Sequence, residues 1–370
     1  MVMEKVAIVV PHHKAVFSQN EKISLEQLYR VLGKYPIFVV APEHLRGQLS
    51  LYNWENIFVS DESFGSTDRY SRTFLSQWLY ELFLKFEYMM IYQTDAFVFE
   101  DRLMEFCSLG YDYIGAPWNS YDPATRKLGV RIGNGGFCIK KIKSVIEVLN
   151  QKEHILGDNP MREHMEKVED LFFAYCGIRE DLSFKVPSIN ISSEFSIEHS
   201  VNGSLNNLKY KKPFGCHDWF RLNYDVWKPY VESFGYISDP NDSQGNETDY
   251  RLFCLMSYVN EVENDAQLIP YFKEATEILP QNIAIWGYGD YGKIFERILR
   301  LGGREVVIFD RKIHMPAPEE IRNYYIVIST RKYGDEISEK LSNWGLIKYR
   351  DYTTFEYFIE GLLDRIFPEG

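Results

Sequence analysis

The sequence predicts an α/β protein built as two units in tandem: a larger one over residues 1–238, a polar loop and helical linker over 239–280, and a smaller one over 281–370. Three observations carry this. From residue 6 onward, short β-branched runs alternate with stretches of helical period, the pattern of a largely parallel sheet covered by helices. Residues Asp239 to Thr248 are polar, rich in turn formers and aperiodic, which marks an edge between folded units. The alternation of strand and helix then begins afresh at Ile283. With 45% hydrophobic and 16% aromatic residues, the chain has enough apolar surface for more than one core, which excludes disorder over most of its length.

Taken in order, Val6 to Val10 reads as a strand stopped at Pro11. Ser24, Leu25, Glu26 and Gln27 read as a capping box opening a helix that places Leu25, Leu28 and Leu32 on one face. Ile37 to Val40 is a second strand, ended by Ala41 and Pro42. A long helix follows, in which Phe74, Leu75, Trp78, Leu79, Leu82 and Phe83 recur at helical spacing. Tyr88 to Tyr92 is a third, buried strand. In such a sheet ligands sit beyond the carboxyl ends of the strands, so functional residues are expected just after each one. In the smaller unit, strands are expected at Ile283 to Trp286, Val306 to Phe309 and Tyr325 to Ser329, with a helix from Lys293 to Leu301.

Charge and composition remove several function classes. The 41 Lys and Arg against 53 Asp and Glu give a net charge of −12, opposite to what binding a nucleic-acid backbone requires. No apolar run approaches the roughly 18 to 20 residues of a membrane span, and residues 1–14 lack the order of a signal peptide. The expectation is a soluble cytoplasmic protein, with peripheral membrane association left open. Cys107, Cys138, Cys176, Cys216 and Cys254 show no paired metal spacing and are odd in number, so buried thiols are expected rather than disulfides. Glycosylation matches at Asn190, Asn202 and Asn246 count for little without a secretory signal.

The densest chemistry follows the third strand. Gln93, Thr94 and Asp95 lie where the hydrophobic run surfaces; a carboxylate there needs a cation or hydrogen-bond donors, unless Asp95 only caps a turn. Farther on come Tyr111 to Trp118 and the run Ile132 to Phe137, where Asn134, Gly135 and Gly136 would let the backbone approach a ligand and would equally suit a hairpin turn. Glu169 and Asp170 open an apolar helical run, a place that favours acidic residues on dipole grounds as well as for acid–base chemistry. His217 sits among small and aromatic residues, where a histidine serves the core as readily as it serves a ligand.

In order over residues 88–219, the strings YQTDAF, YDYIGAPW, GNGGF, ED and PFGCH resemble a family of bacterial and fungal glycosyltransferases known mainly from sequence. The wider pattern is similar to the GT-A fold, a nucleotide-sugar-binding α/β domain in which a strand ends in an Asp-x-Asp motif. The resemblance implies that Asp95 matches the last carboxylate of that motif, which holds a divalent metal, while Gln93 replaces the first and lowers the charge of the site. It implies that His217 completes the coordination, and that Asp170, with Glu169 second, is the general base of an inverting reaction. Asn134, Gly135 and Gly136 would approach the donor sugar or acceptor. Pro11, His12, His13 and Lys14, with Tyr70 to Arg72, would hold the nucleotide beside Gln93 and Thr94. Trp118 and Phe137 would stack on sugar rings, unless they pack in the core. The implied reaction moves a hexose from a nucleoside diphosphate sugar, UDP-sugar foremost, to a hydroxyl of a glycan or glycoprotein, in polysaccharide synthesis or protein glycosylation. An imidazole beside carboxylate and phosphate oxygens suits Mn²⁺ better than Mg²⁺.

In the smaller unit Gly287, Gly289 and Gly292 form a GxGxxG between a strand and a helix, and Asp310 ends the next strand near the roughly 20-residue spacing of a ribose-binding acid. This resembles small Rossmann-like domains appended to bacterial sugar-modifying proteins, which bind a nucleotide or retain only the turn. No partner for hydride transfer follows it, which argues against NAD as a cofactor. Two readings compete with the transferase. One is a nucleotide-sugar oxidoreductase built on this motif; the other is a carbohydrate-binding or assembly subunit whose metal site has decayed at Gln93.

Overall fold

A computed structural model of the chain describes residues 4–49, 52–118, 122–199, 208–209, 211–243, 247–262, 269–277, 279–330, 332–354, 357–359 and 361–362. The chain divides into two compact units, Met1–Glu247 and Thr248–Gly370. Residues 248–280, read from the sequence as linker, go with the second unit, where Glu247–Val262 and Ile269–Glu277 are helices.

Among the described residues the first unit has nine strands: β1 (Glu4–Pro11), β2 (Ile37–Pro42), β3 (Glu55–Val59), β4 (Phe86–Tyr92), β5 (Phe97–Val98), β6 (Tyr113–Pro117), β7 (Ile132–Lys141), β8 (Ser196–Ile197) and β9 (Gly215–Cys216). Six of them form one sheet in the order β3-β2-β1-β4-β7-β6. The first four run parallel, while β7 lies antiparallel to both β4 and β6. The class is the α/β one expected, with a mixed sheet. Alternate residues of the same strands feed two cores: Val9, Ile91 and Cys138 pack toward Phe74, Phe172 and Phe173, while Ile8, Val10 and Met90 pack toward Leu25, Leu28 and Leu32. A strand covered on both faces needs apolar side chains throughout, which is why these segments read as unbroken hydrophobic runs.

Two local expectations are corrected. The first helix spans Gln19–Leu32, not a segment opening at Ser24. Its capping box is Ser18 with Glu21: the Glu21 N–H donates to Ser18 Oγ at 3.2 Å, and the Ser18 N–H donates to the Glu21 carboxylate at 2.9 Å. Ser24 and Gln27 are interior; Trp219 Nε1 donates to Ser24 Oγ at 2.8 Å, and Gln27 donates to the Val98 carbonyl at 2.8 Å. The long helix through Phe83 is two short ones, Thr67–Phe74 and Gln77–Glu81, parted where Ser76 takes an extended conformation. That break turns Trp78 and Leu82 to solvent, at 42% and 50% exposure, while Leu79, Tyr80 and Phe83 stay in the core.

A second, three-stranded sheet, β5-β9-β8, assembles the site. Phe97 pairs with Cys216 in antiparallel register, so the residues just before β5 and just after β9 lie side by side. All five cysteines are buried. Asn190 lies in the helix Ile189–Phe195, and Asn202 and Asn246 lie outside the described residues. In the second unit β10 (Ile283–Trp286), β11 (Val306–Phe309), β12 (Tyr325–Ile328) and β13 (Tyr352–Thr353) form a parallel sheet ordered β11-β10-β12-β13. Among the described residues no helix is long and apolar enough to cross a membrane.

Candidate active site

A cleft of about 720 Å³ opens where β1 and β4 end and β7 begins, lined by residues of β1 and β7 and by those that follow β4. It gathers Pro11, His12, His13, Lys14, Tyr70, Gln93, Thr94, Asp95, Asn134, Gly135, Gly136, Glu169, Asp170 and His217. Three expected residues lie elsewhere. Arg72 is exposed and lines a different depression with Lys152, Glu163 and Lys167, because its helix turns that face outward. Trp118 is half-buried against the core, and Phe137 is fully buried within it, so both rings pack and neither lines the cleft.

At one end of the cleft, Asp95 and His217 meet through the pairing of β5 with β9. His217 Nε2 lies 3.2 Å from Asp95 Oδ1 and 3.1 Å from Gln93 Oε1, while its Nδ1 lies 3.1 Å from Glu198 Oε1. Arg221 Nη1 donates to the other Asp95 oxygen at 2.6 Å and thereby leaves Oδ1 facing the imidazole. The turn after His217 is tight: Asp218 takes φ +56°, in the left-handed region, and the Trp219 N–H donates to the Asp95 carbonyl at 3.1 Å. Burial alone would raise the pKa of Asp95, but His217 and Arg221 outweigh it and hold the carboxyl well below the usual range. For His217, burial opposes the charge, and Asp95 and Glu198 override it and push its pKa well up.

Glycine sets the spacing between the two ends. A Cβ on Gly136 would fall 2.0 Å from His217 Nε2, and one on Gly135 would fall 2.9 Å from Glu169 Oε1 and 3.2 Å from Asp170 Cβ. The strand therefore runs between the imidazole on one side and the acid pair on the other, too close to either for a side chain. Asp170 Oδ2 accepts from the Gly135 N–H at 3.2 Å and its Oδ1 from the Leu171 N–H at 2.8 Å. Burial, then the neighbouring Glu169 and Glu198, push Asp170 up to about 8. Glu169 is held apart from it by Ser71, whose Oγ donates at 3.1 Å, and by the fully buried Lys140, whose Nζ lies 4.0 Å away.

At the end of β1, His12 stacks on Phe17 with ring centroids 3.9 Å apart, and burial keeps it neutral by lowering its pKa to about 4. Lys14 and Thr94 both reach Glu21, at 3.1 and 2.9 Å, so the helix cap is part of the cleft wall. Lining residues whose buried polar atoms have no hydrogen-bond partner among the described residues include His12 at Nε2, Glu198 at Oε2 and Asp218 at Oδ1. Groups left so are expensive and are characteristic of a ligand site.

The fit to a divalent metal follows from the donor set. Among the described residues no three His, Cys, Asp or Glu side chains are arranged to hold a metal by themselves. The oxygens of Asp95 and Gln93, with His217 Nε2, nevertheless converge at 3.1 to 3.2 Å, about the spacing of neighbouring donors around an octahedral ion. Seven carboxylates line the cleft against Lys14 and Arg221, so a diphosphate would enter it only with a counter-cation.

Arg221, Glu198, Asp218, Glu21 and Lys140 were not legible as site residues. Arg221 stands four residues beyond His217 in the irregular turn that follows it, and Glu198 follows a two-residue strand too short to read from pattern.

The fold and site thus define an α/β protein with an acidic, ligand-shaped cleft at the carboxyl ends of its parallel strands. Residues 53–217, which include the whole series from Tyr70 to His217, match the model of a family described as a protein of unknown function, DUF5672. No curated protein matches the chain. Among solved structures the chain is similar to mouse xyloside xylosyltransferase 1 in its apo form, at 12% identity over 58% of this chain and 97% of that one, with a TM-score of 0.37. It is similar also to a glycosyltransferase involved in the glycosylation of the major capsid of PBCV-1, at 14% identity over 62% and 99% of the two chains, with a TM-score of 0.38. A third is CMP:2-keto-3-deoxy-manno-octonic acid synthetase complexed with CTP, at 13% identity over 50% and 89%, with a TM-score of 0.32.

Proposed function

We propose that the first unit is a glycosyltransferase that moves a hexose from a nucleoside diphosphate sugar, UDP-sugar foremost, to a hydroxyl of a glycan or glycoprotein with inversion. One observation supports this most. In a single cleft, the Gln93, Asp95 and His217 donors and the Asp170 carboxyl flank the same two glycines. Asp95, His217 and the Gln93 carbonyl would hold Mn²⁺ or Mg²⁺, which supplies positive charge to the departing diphosphate as its negative charge grows. Arg221 keeps Asp95 ionised and oriented. Lys14 adds a cation on the phosphate side, and the neutral His12 ring offers its unpartnered Nε2 to the base. Asp170 accepts the proton of the attacking hydroxyl, and its raised pKa makes it a stronger base than an ordinary carboxylate once ionised.

The test is turnover on a panel of nucleotide sugars with Mn²⁺, read as released nucleotide. Asp95→Asn should abolish turnover together with metal-dependent donor binding; retained turnover removes the metal assignment. Asp170→Asn should keep donor affinity within about threefold while lowering transfer by 10²-fold or more, on the order expected for a lost general base. Weakened donor binding alone would remove the general-base role.

A further inference from the structure

We propose that Glu198 and Asp218 make the cleft selective for an uncharged, hydroxyl-bearing sugar and shut out sugars that carry a carboxylate. The inference rests on the transferase reading and names the substrate class that the same cleft admits. Both residues line it, and they are only 6% and 7% exposed. Each keeps one carboxylate oxygen without a hydrogen-bond partner among the described residues, Oε2 of Glu198 and Oδ1 of Asp218. The remaining approaches are ionic. Glu198 Oε1 lies 3.1 Å from His217 Nδ1 and 3.7 Å from His199 Nε2, and Arg221 Nε stands 3.6 Å from Asp218 Oδ1, too far to donate a hydrogen bond. A buried acceptor left in this way is costly until a donor meets it, and a sugar ring presents several hydroxyl donors.

Their position suits recognition of the reacting sugar. Glu198 stands between the two ends of the cleft: it contacts His217, and it raises the pKa of both Asp170 and Asp218. Asp218 is held beside it by a backbone at φ +56°, a conformation that Asp and Asn tolerate better than most residues with a side chain. The charges there are one-sided. Lys14 is engaged with Glu21 at 3.1 Å and Arg221 with Asp95 at 2.6 Å, while His217 sits between Asp95 and Glu198. Among the described lining residues the Lys and Arg charges are thus already matched, and the diphosphate would claim a bound divalent ion. A hydroxyl satisfies Glu198 and Asp218; a carboxylate would face them as a further buried negative charge with neither cation left to meet it.

The glycine turn of the second unit, by contrast, is fastened from within. Asp310 Oδ2 accepts from the Tyr288 N–H and its Oδ1 from the Lys312 N–H, both at 2.9 Å, so the acid whose spacing suggested a ribose contact ties down the turn itself. Gly287 has φ +102°, and a Cβ on Gly292 would fall 2.2 Å from the Gly287 carbonyl oxygen, so the fold accounts for both. Gly289 is the N-cap of the helix Asp290–Leu301.

The experiment is calorimetric titration of the full chain with Mn²⁺, using two matched pairs: UDP-glucose against UDP-glucuronate, and GDP-mannose against GDP-mannuronate. Each affinity is referred to that of bare UDP or GDP on the same protein, so a metal grip weakened by a change beside His217 cancels. In at least one pair the neutral sugar should bind at least about tenfold tighter than its acid counterpart. Asp218→Asn, which suits the same backbone and removes the charge, should cut that preference at least about threefold, and adding Glu198→Gln should bring the pair within about twofold. An acid sugar bound as tightly as its neutral counterpart, or a preference unchanged in both variants, overturns the inference and leaves the transferase reading in place. Failure of both bare nucleotides to bind with Mn²⁺ removes the two together.

Discussion

Gly136→Ala is the sharpest probe of the site, because the added methyl would meet a single side chain. Its Cβ would lie 2.0 Å from His217 Nε2, 2.3 Å from Cε1 and 2.4 Å from Cδ2, whereas an ordinary contact is about 3.5 Å. The imidazole must retreat by about 1.5 Å, which removes it from the oxygens of Gln93 and Asp95 at 3.1 and 3.2 Å. Overpacking of this kind costs about 1–3 kcal/mol, and the lost charge-assisted hydrogen bonds about 1.5–3. Gly136 does not have positive φ, so alanine returns about 0.5–1 kcal/mol by restricting the unfolded chain. The net expectation is a loss of about 1.5–5.5 kcal/mol in thermal or urea unfolding, together with loss of metal-dependent donor binding. The decisive measurement is a double-mutant cycle: a His217→Ala background removes the three atoms nearest the methyl, and Gly136→Ala should there become neutral or slightly stabilising. An equal cost in both backgrounds, or full turnover in the single variant, refutes the reasoning.

Asp170 supplies a pH prediction. With its pKa raised to about 8, the ionised base accumulates only above neutrality, so kcat should climb from pH 6, pass half its maximum near pH 8 and level off above about pH 9; a flat profile counts against it. The same shift has a sign for stability. The folded chain disfavours the charge relative to a group of ordinary pKa 3.8, so the contribution of the carboxyl is fully present below about pH 4 and lost as pH rises to about 8. Asp170→Asn should accordingly match the wild type at pH 4 and exceed it at pH 8.5 by about 1–2 kcal/mol, since partial solvent access screens the full effect. Thermal melts at the two pH values decide it, and a variant less stable at pH 8.5 contradicts it. Lys140→Met should cost about 3–5 kcal/mol by leaving Glu169 without its buried cation, with part of the loss recovered by adding Glu169→Gln. No recovery in the pair would show that Lys140 serves packing alone.

Much of the site was legible because its residues stand where hydrophobic runs end. Gln93 and Asp95 follow β4, His12 follows β1, and the glycines open β7, so polar residues at the edges of apolar segments pointed to one end of a sheet. Partners brought in by long-range pairing were not legible. Arg221 and Glu198 act only because β8, β9 and β5 meet, and two-residue strands leave no periodic trace. Lys140 reads as an ordinary exposed lysine until the rings of Phe173, Phe74 and Tyr113 are seen around it at 4.3 to 5.6 Å. The helix near Ser76 was misread for the opposite reason: an apolar stripe continues through a break that the pattern alone does not register.

The short sheet β5-β9-β8 also bears on how the molecule matures. The large sheet pairs strands no farther apart in sequence than Glu4 and Phe86, but Asp95 and His217 become adjacent only when the still more distant Phe97 and Cys216 pair, an entropically costly closure. Competence to grip a ligand therefore arrives among the last steps of assembly. Occupancy of the cleft then acts as a census of finished molecules, since a nascent or partly unravelled chain lacks the grip whatever its helical content.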